Sequence, residues 1–127
     1  MNQANKKIII FDDDEDILSI CTYILEELGW EITSFTDCNN IVERVNSIQP
    51  FVIFMDNWIP NEGGMLATQK IKNTPGISDI PIVYFSANSD IKQLAEQAGA
   101  EHYLAKPFDL DQLTRIVESI HVRQVVI

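Results

Sequence analysis

The chain has 127 residues, with 46% hydrophobic and 22% charged side chains, the composition of one folded domain rather than a disordered segment. Its formal net charge is −10 and its pI about 4.4, which argues against non-specific nucleic-acid binding and against docking on anionic membranes. Cys21 and Cys38 lack metal-like spacing, the apolar runs Ile8–Phe11 and Phe51–Met55 are too short to span a bilayer, and no export signal is legible. A cytoplasmic location without membrane contact is the resulting expectation.

Strands and helices alternate along the sequence. The run Lys7–Phe11 suits a strand buried on both faces. Ile17, Leu18, Cys21, Ile24, Leu25 and Leu28 follow at helical spacing, closed by Gly29. Glu31–Phe35 alternates as a strand does. Ile41, Val42, Val45 and Ile48 form a short helix that must stop before Pro50. Phe51–Met55 is a second buried strand, Met65–Lys72 a helix, and Ile80–Phe85 a strong strand with Pro81 confined to its start. A helix over Ser89–Ala98 ends at Gly99, His102–Leu104 is a brief strand, and Asp109 suits the N-cap of a last helix reaching His121. Five βα units predict an α/β fold, a flavodoxin-like doubly wound parallel sheet of five strands in order 2-1-3-4-5. The whole chain, 1–127, reads as one domain with its core at about 6–121.

Ligands of such sheets bind at the carboxyl ends of the strands, where the strand order reverses. The residues that end the apolar strands therefore matter as a group. They are Asp12 and Asp13, Asp56, Ser86, and the pair Lys106-Pro107. Three aspartates offset by one lysine leave an excess of about two negative charges, which a divalent cation would neutralise. An all-oxygen donor set without His or Cys favours Mg²⁺. Beside such an ion, Asp56 can serve as a nucleophile toward phosphorus, Lys106 can neutralise phosphoryl oxygens, and Ser86 can donate a hydrogen bond to one of them. The acidic residues Asp14, Glu15 and Asp16 read instead as the start of the first helix, favoured by its dipole. His102 and His121 have no nucleophile or fellow metal ligand nearby in sequence and receive no role.

Four stretches carry a family resemblance: Ile8–Asp14, Val52–Pro60 with Gly64 after it, Ile82–Ala87, and Tyr103–Phe108. In this order, each at a strand end, they resemble the receiver domain of two-component response regulators, chemotaxis-regulator-like, over nearly the whole chain. The resemblance implies a phosphoacceptor in a phosphorelay rather than an enzyme that turns over a separate substrate. It makes Asp56 the phosphorylation site, and Asp12, Asp13, Asp56 and the Trp58 backbone carbonyl the ligands of Mg²⁺, with Mn²⁺ as a substitute. Asp13 is the more direct of the first two. Ser86, Ala87, Lys106 and Tyr103 become the phosphoryl-binding and switch residues, and the Lys106–Pro107 peptide is expected to be cis. Trp58 and Asn88 would tune the lifetime of the acyl phosphate. The implied partners are a sensor histidine kinase or histidine phosphotransfer protein and a downstream protein target, with room for a phosphorylation-dependent dimer. Ile59 and Gly63 depart from the commonest residues at their positions, and neither touches the chemistry.

Three other classes fit less well. A haloacid-dehalogenase-type phosphatase calls for a second acid two residues after the nucleophile, where Trp58 stands. A flavin binder on this fold calls for a Gly-rich loop after the first strand, where acids stand. A phosphorylation-independent interaction module would leave the convergence of the four motifs without purpose.

Overall fold

The computed structural model describes residues 5–59 and 63–125, and side chains as far as Val122. Ten elements alternate without interruption: β1 (Lys7–Phe11), α1 (Glu15–Glu27), β2 (Glu31–Phe35), α2 (Ile41–Ile48), β3 (Val52–Asp56), α3 (Gly64–Lys72), β4 (Ile82–Ser86), α4 (Ile91–Ala98), β5 (His102–Ala105) and α5 (Leu110–Val125). All strand pairs are parallel and the order is β2-β1-β3-β4-β5, as the sequence predicts for a flavodoxin-like sheet. The central strands are apolar on both sides because helices cover both faces. Ile9, Phe11, Ile53, Met55, Ile82 and Tyr84 face one half of the core with Ile41, Val45, Ala67, Ile71 and Ile91. Ile8, Ile10, Val52, Phe54, Val83 and Phe85 face the other half with Leu18, Cys21, Leu25, Leu113 and Val117.

Local chemistry explains where the elements begin and end. Asp14 caps α1, its Oδ1 accepting from the Asp16 and Ile17 amides at 3.0 and 3.4 Å. The same helix closes at Gly29, whose φ of +94° lets the Trp30 amide reach back to the Leu25 carbonyl. Asp109 and Gln112 cap α5 reciprocally, each side chain accepting from the other's amide. Several boundaries differ from the sequence reading. The strand β4 starts at Ile82, since the Ile80 amide turns back to the Ile77 carbonyl and Pro81 offers no N–H. Asn88 Oδ1 accepts from the Asp90 amide and holds a turn, which delays α4 to Ile91. The last helix runs past His121 to Val125. His121 packs edge-on against Trp30 and Phe51. Cys21 and Cys38 are buried core residues, and burial, with Asp12 adding to it, pushes the Cys21 thiol up to about 12. No helix among the described residues is long and apolar enough to cross a membrane.

Candidate functional site: an acidic centre at the carboxyl edge of the sheet

The register places the predicted polar residues side by side. Phe11 pairs with Met55, Asp56 with Phe85, and Ser86 with Ala105. The next residue along β1 is therefore Asp12, next to Asp56, and the next along β5 is Lys106, next to Ser86. Backbone bonds extend this edge, from the Asp12 amide to the Phe35 carbonyl at 3.1 Å and from the Lys106 amide to the Ser86 carbonyl at 2.9 Å.

Asp12 is fully buried and Asp56 is 5% exposed. Lys106 Nζ joins them, 2.7 Å from Asp12 Oδ2 and 2.9 Å from Asp56 Oδ1. It also lies 4.6 Å from the centre of the Phe85 ring. The other oxygens are engaged by backbone. Asp12 Oδ1 accepts from the Asp14 amide at 2.9 Å, and Asp56 Oδ2 from the Trp58 amide at 3.0 Å. Asp13 is exposed at the mouth, and Asp12, Asp13 and Asp56 each offer a carboxylate oxygen within 4.8 Å of the others. One lysine thus bridges two of the three carboxylates, and the third, Asp13, adds uncompensated charge beside them. Burial, reinforced by the charge of Asp12, pushes the Asp56 carboxyl above its ordinary range, with Lys106 opposing the shift. Burial alone would lower the Lys106 ammonium, but its bonds to Asp12 and Asp56 carry it upward.

The remaining predicted residues surround this centre. Ser86 is buried, and its Oγ accepts from the Asn88 amide at 3.1 Å. Ala87 and Asn88 are exposed on the following loop. Trp58 is 74% exposed and Tyr103 45%, so neither ring fills the core. The Lys106–Pro107 peptide is cis. Pro60, part of one motif, lies outside the described residues. Gly64 has a steric reason, since a Cβ there would stand 1.9 Å from the Asp56 carbonyl oxygen. Two residues escaped the sequence reading. The Tyr84 hydroxyl donates to Asn57 Oδ1, directly behind the centre. The available signal was a polar-tipped aromatic inside an otherwise apolar strand.

Residues 8–118 match the family model described as response regulator receiver domain. This chain belongs to the response regulator receiver domain family. An aspartyl phosphate and a Mg²⁺-binding acidic pocket are characteristic of receiver domains, and the aspartate cluster here is such a pocket in composition. The receiver is 29% identical over 115 residues to the CAI-1 autoinducer sensor kinase/phosphatase CqsS of Vibrio cholerae, covering 88% of this chain and 17% of that protein. It is 27% identical to the DNA-binding dual master transcriptional regulator RpaA of Synechocystis, covering 90% of this chain and 48% of that one. The chain thus spans about half or less of the length of the curated relatives it matches. Among solved structures, the receiver domain of a sensor histidine kinase from Pseudomonas aeruginosa, with a magnesium ion coordinated in its active site cleft, is 28% identical. It superposes with a TM-score of 0.84 over 93% of this chain and 98% of that one.

Proposed function

We propose that this chain, read as one receiver domain, takes a phosphoryl group onto Asp56 from a sensor histidine kinase or a histidine phosphotransfer protein. The observation that carries this reading is Lys106 shared between two buried carboxylates while a third stands within 4.8 Å. Asp12, Asp13 and Asp56, with the Trp58 carbonyl, would hold Mg²⁺. Their hard oxygen donors and unneutralised charge fit that ion, and Mn²⁺ has the same ligand preference. When bound, Mg²⁺ supplies charge neutralisation for the phosphoryl oxygens.

The protein's own groups do the rest. A carboxylate oxygen of Asp56 forms a bond to phosphorus as the P–N bond of the phosphohistidine breaks, and the imidazole leaves with the electron pair. Lys106 meets the new negative charge on the phosphoryl group. Ser86 exchanges its bond to the Asn88 amide for one to a phosphoryl oxygen, carrying Ala87 with it. Tyr103, now outward, turns into the space vacated beside Ser86. The exposed Trp58 and Asn88 flank the approach of hydrolytic water and set the lifetime of the acyl phosphate. The protein is a phosphoacceptor that promotes only its own phosphorylation and dephosphorylation. Its output is a changed α4–β5–α5 face, read by a downstream protein or a second copy, in the cytoplasm and without nucleic-acid contact.

Amide NMR spectra with Mg²⁺, with and without beryllofluoride as the phosphoryl mimic, test the switch. Shifts are expected at Asp56, Ser86 to Asp90, and along α4, β5 and α5. Changes confined to the acidic centre would contradict it.

A further inference from the structure

We propose that Tyr84 is a positioning residue for the acidic centre, acting through Asn57 on the backbone of Trp58. The inference rests on the metal-binding reading above. Tyr84 lies within β4 and is completely buried in the half of the core covered by α2, α3 and α4. Its neighbours on the three central strands are apolar, and a phenylalanine would fill the same space without a hydroxyl to satisfy. Among the described residues that hydroxyl donates to the side-chain oxygen of Asn57.

Asn57 is the hinge between Asp56 and Trp58, and three bonds hold it. Its amide donates to the Phe85 carbonyl at 3.3 Å, its carbonyl accepts from the Gly64 amide at 3.3 Å, and its side chain accepts from Tyr84. Two of these anchors come from adjacent residues of β4. Trp58 needs such support. Its ring is 74% exposed and cannot fix its own backbone by packing. Yet its amide orients Asp56 Oδ2 at 3.0 Å, and its carbonyl is a candidate ligand. The backbone of residue 58 is therefore set by the residue before it, and that residue is tied from below by Tyr84. Burial, then the charge of Asp56, pushes the Tyr84 hydroxyl up to about 12, so it remains a neutral donor at physiological pH. Partners that orient metal ligands from behind typically change metal affinity by about 10–100-fold when removed.

Calorimetric titration of the full chain with Mg²⁺ tests the proposal on wild type, Tyr84→Phe, Asn57→Ala and the double variant. Each single variant should weaken Mg²⁺ binding by roughly tenfold, the low end of that range. The double variant should be no weaker than either single one, because both remove one bond. Asn57→Ala cuts the same bond from a half-buried loop position and decides the matter should Tyr84→Phe fail to fold. Unchanged Mg²⁺ affinity with only a lowered melting temperature would reduce Tyr84 to packing and overturn the proposal. If wild type itself binds no Mg²⁺, the metal reading fails. The Trp58 amide resonance of the metal-free protein then decides, with displacement in Tyr84→Phe supporting the positioning role and an unmoved resonance overturning it.

Discussion

Asp56 is held in a state of unresolved charge. It is nearly buried, it faces Asp12, and it shares the Lys106 ammonium with that neighbour. Its carboxyl is raised above 3.8, so its contribution to stability is fully present below that pH and is lost as pH rises through the raised value. Ionised Asp56 therefore penalises the metal-free fold at neutral pH. Lys106 follows the same sign at a much higher pH, and is therefore stabilising at neutrality. Its elevated ammonium contributes stability that is lost only above its ordinary value of 10.5. Asp56→Asn, which keeps the shape and removes the charge, is expected to raise the melting temperature of the metal-free protein by a few degrees at pH 7. The gain should shrink as pH falls and wild-type Asp56 takes up its own proton. A variant less stable than wild type at pH 7 without metal would contradict this electrostatic picture. Asp56, Lys106 and Ser86 were legible in sequence because each ends an apolar run. The Tyr84–Asn57 bond was not, because its partners lie 27 residues apart and a tyrosine in a buried strand looks like packing.

At the scale of elements, every helix and strand was foreseen, because solid apolar runs of about five residues and helical spacing are strong signals. The ends were less legible. Strand β4 and helix α4 both start later than expected, since turn bonds at Ile80 and at Asn88 use backbone groups the elements would otherwise claim. The opposite end of the sheet has a fastening that no local pattern shows. Lys72, at the end of α3, donates to the Ser78 and Ile80 carbonyls at 3.1 and 2.8 Å and pairs with Glu101. Glu101 in turn accepts from the Ile82 amide at 3.0 Å. One ammonium thus ties α3 to the entry of β4 and to the loop before β5. Lys72→Met keeps the aliphatic stem but orphans three acceptors, and should cost about 2 kcal/mol, within the range for charged hydrogen bonds. Urea denaturation measures this, and an unchanged midpoint would show the fastening to be replaceable by water.

For the molecule as a whole, topology does most of the functional work. The order β2-β1-β3-β4-β5 brings residues 12, 56, 86 and 106 to one edge, although they span most of the chain. Parallel pairing makes every strand end there, so a polar residue placed after each apolar run joins the site without further instruction. The acidic centre then combines excess charge and hard oxygen donors with the carboxylate proposed as the nucleophile, and β4 and β5, proposed to carry the switch, adjoin it. Intact-protein mass spectrometry after incubation with acetyl phosphate, with and without Mg²⁺, on wild type and Asp56→Asn, tests the phosphoacceptor role most directly. A gain of one phosphoryl mass is expected in wild type, dependent on Mg²⁺ and absent from Asp56→Asn. No adduct under rapid quenching, or an adduct that persists in Asp56→Asn, would contradict Asp56 as the acceptor.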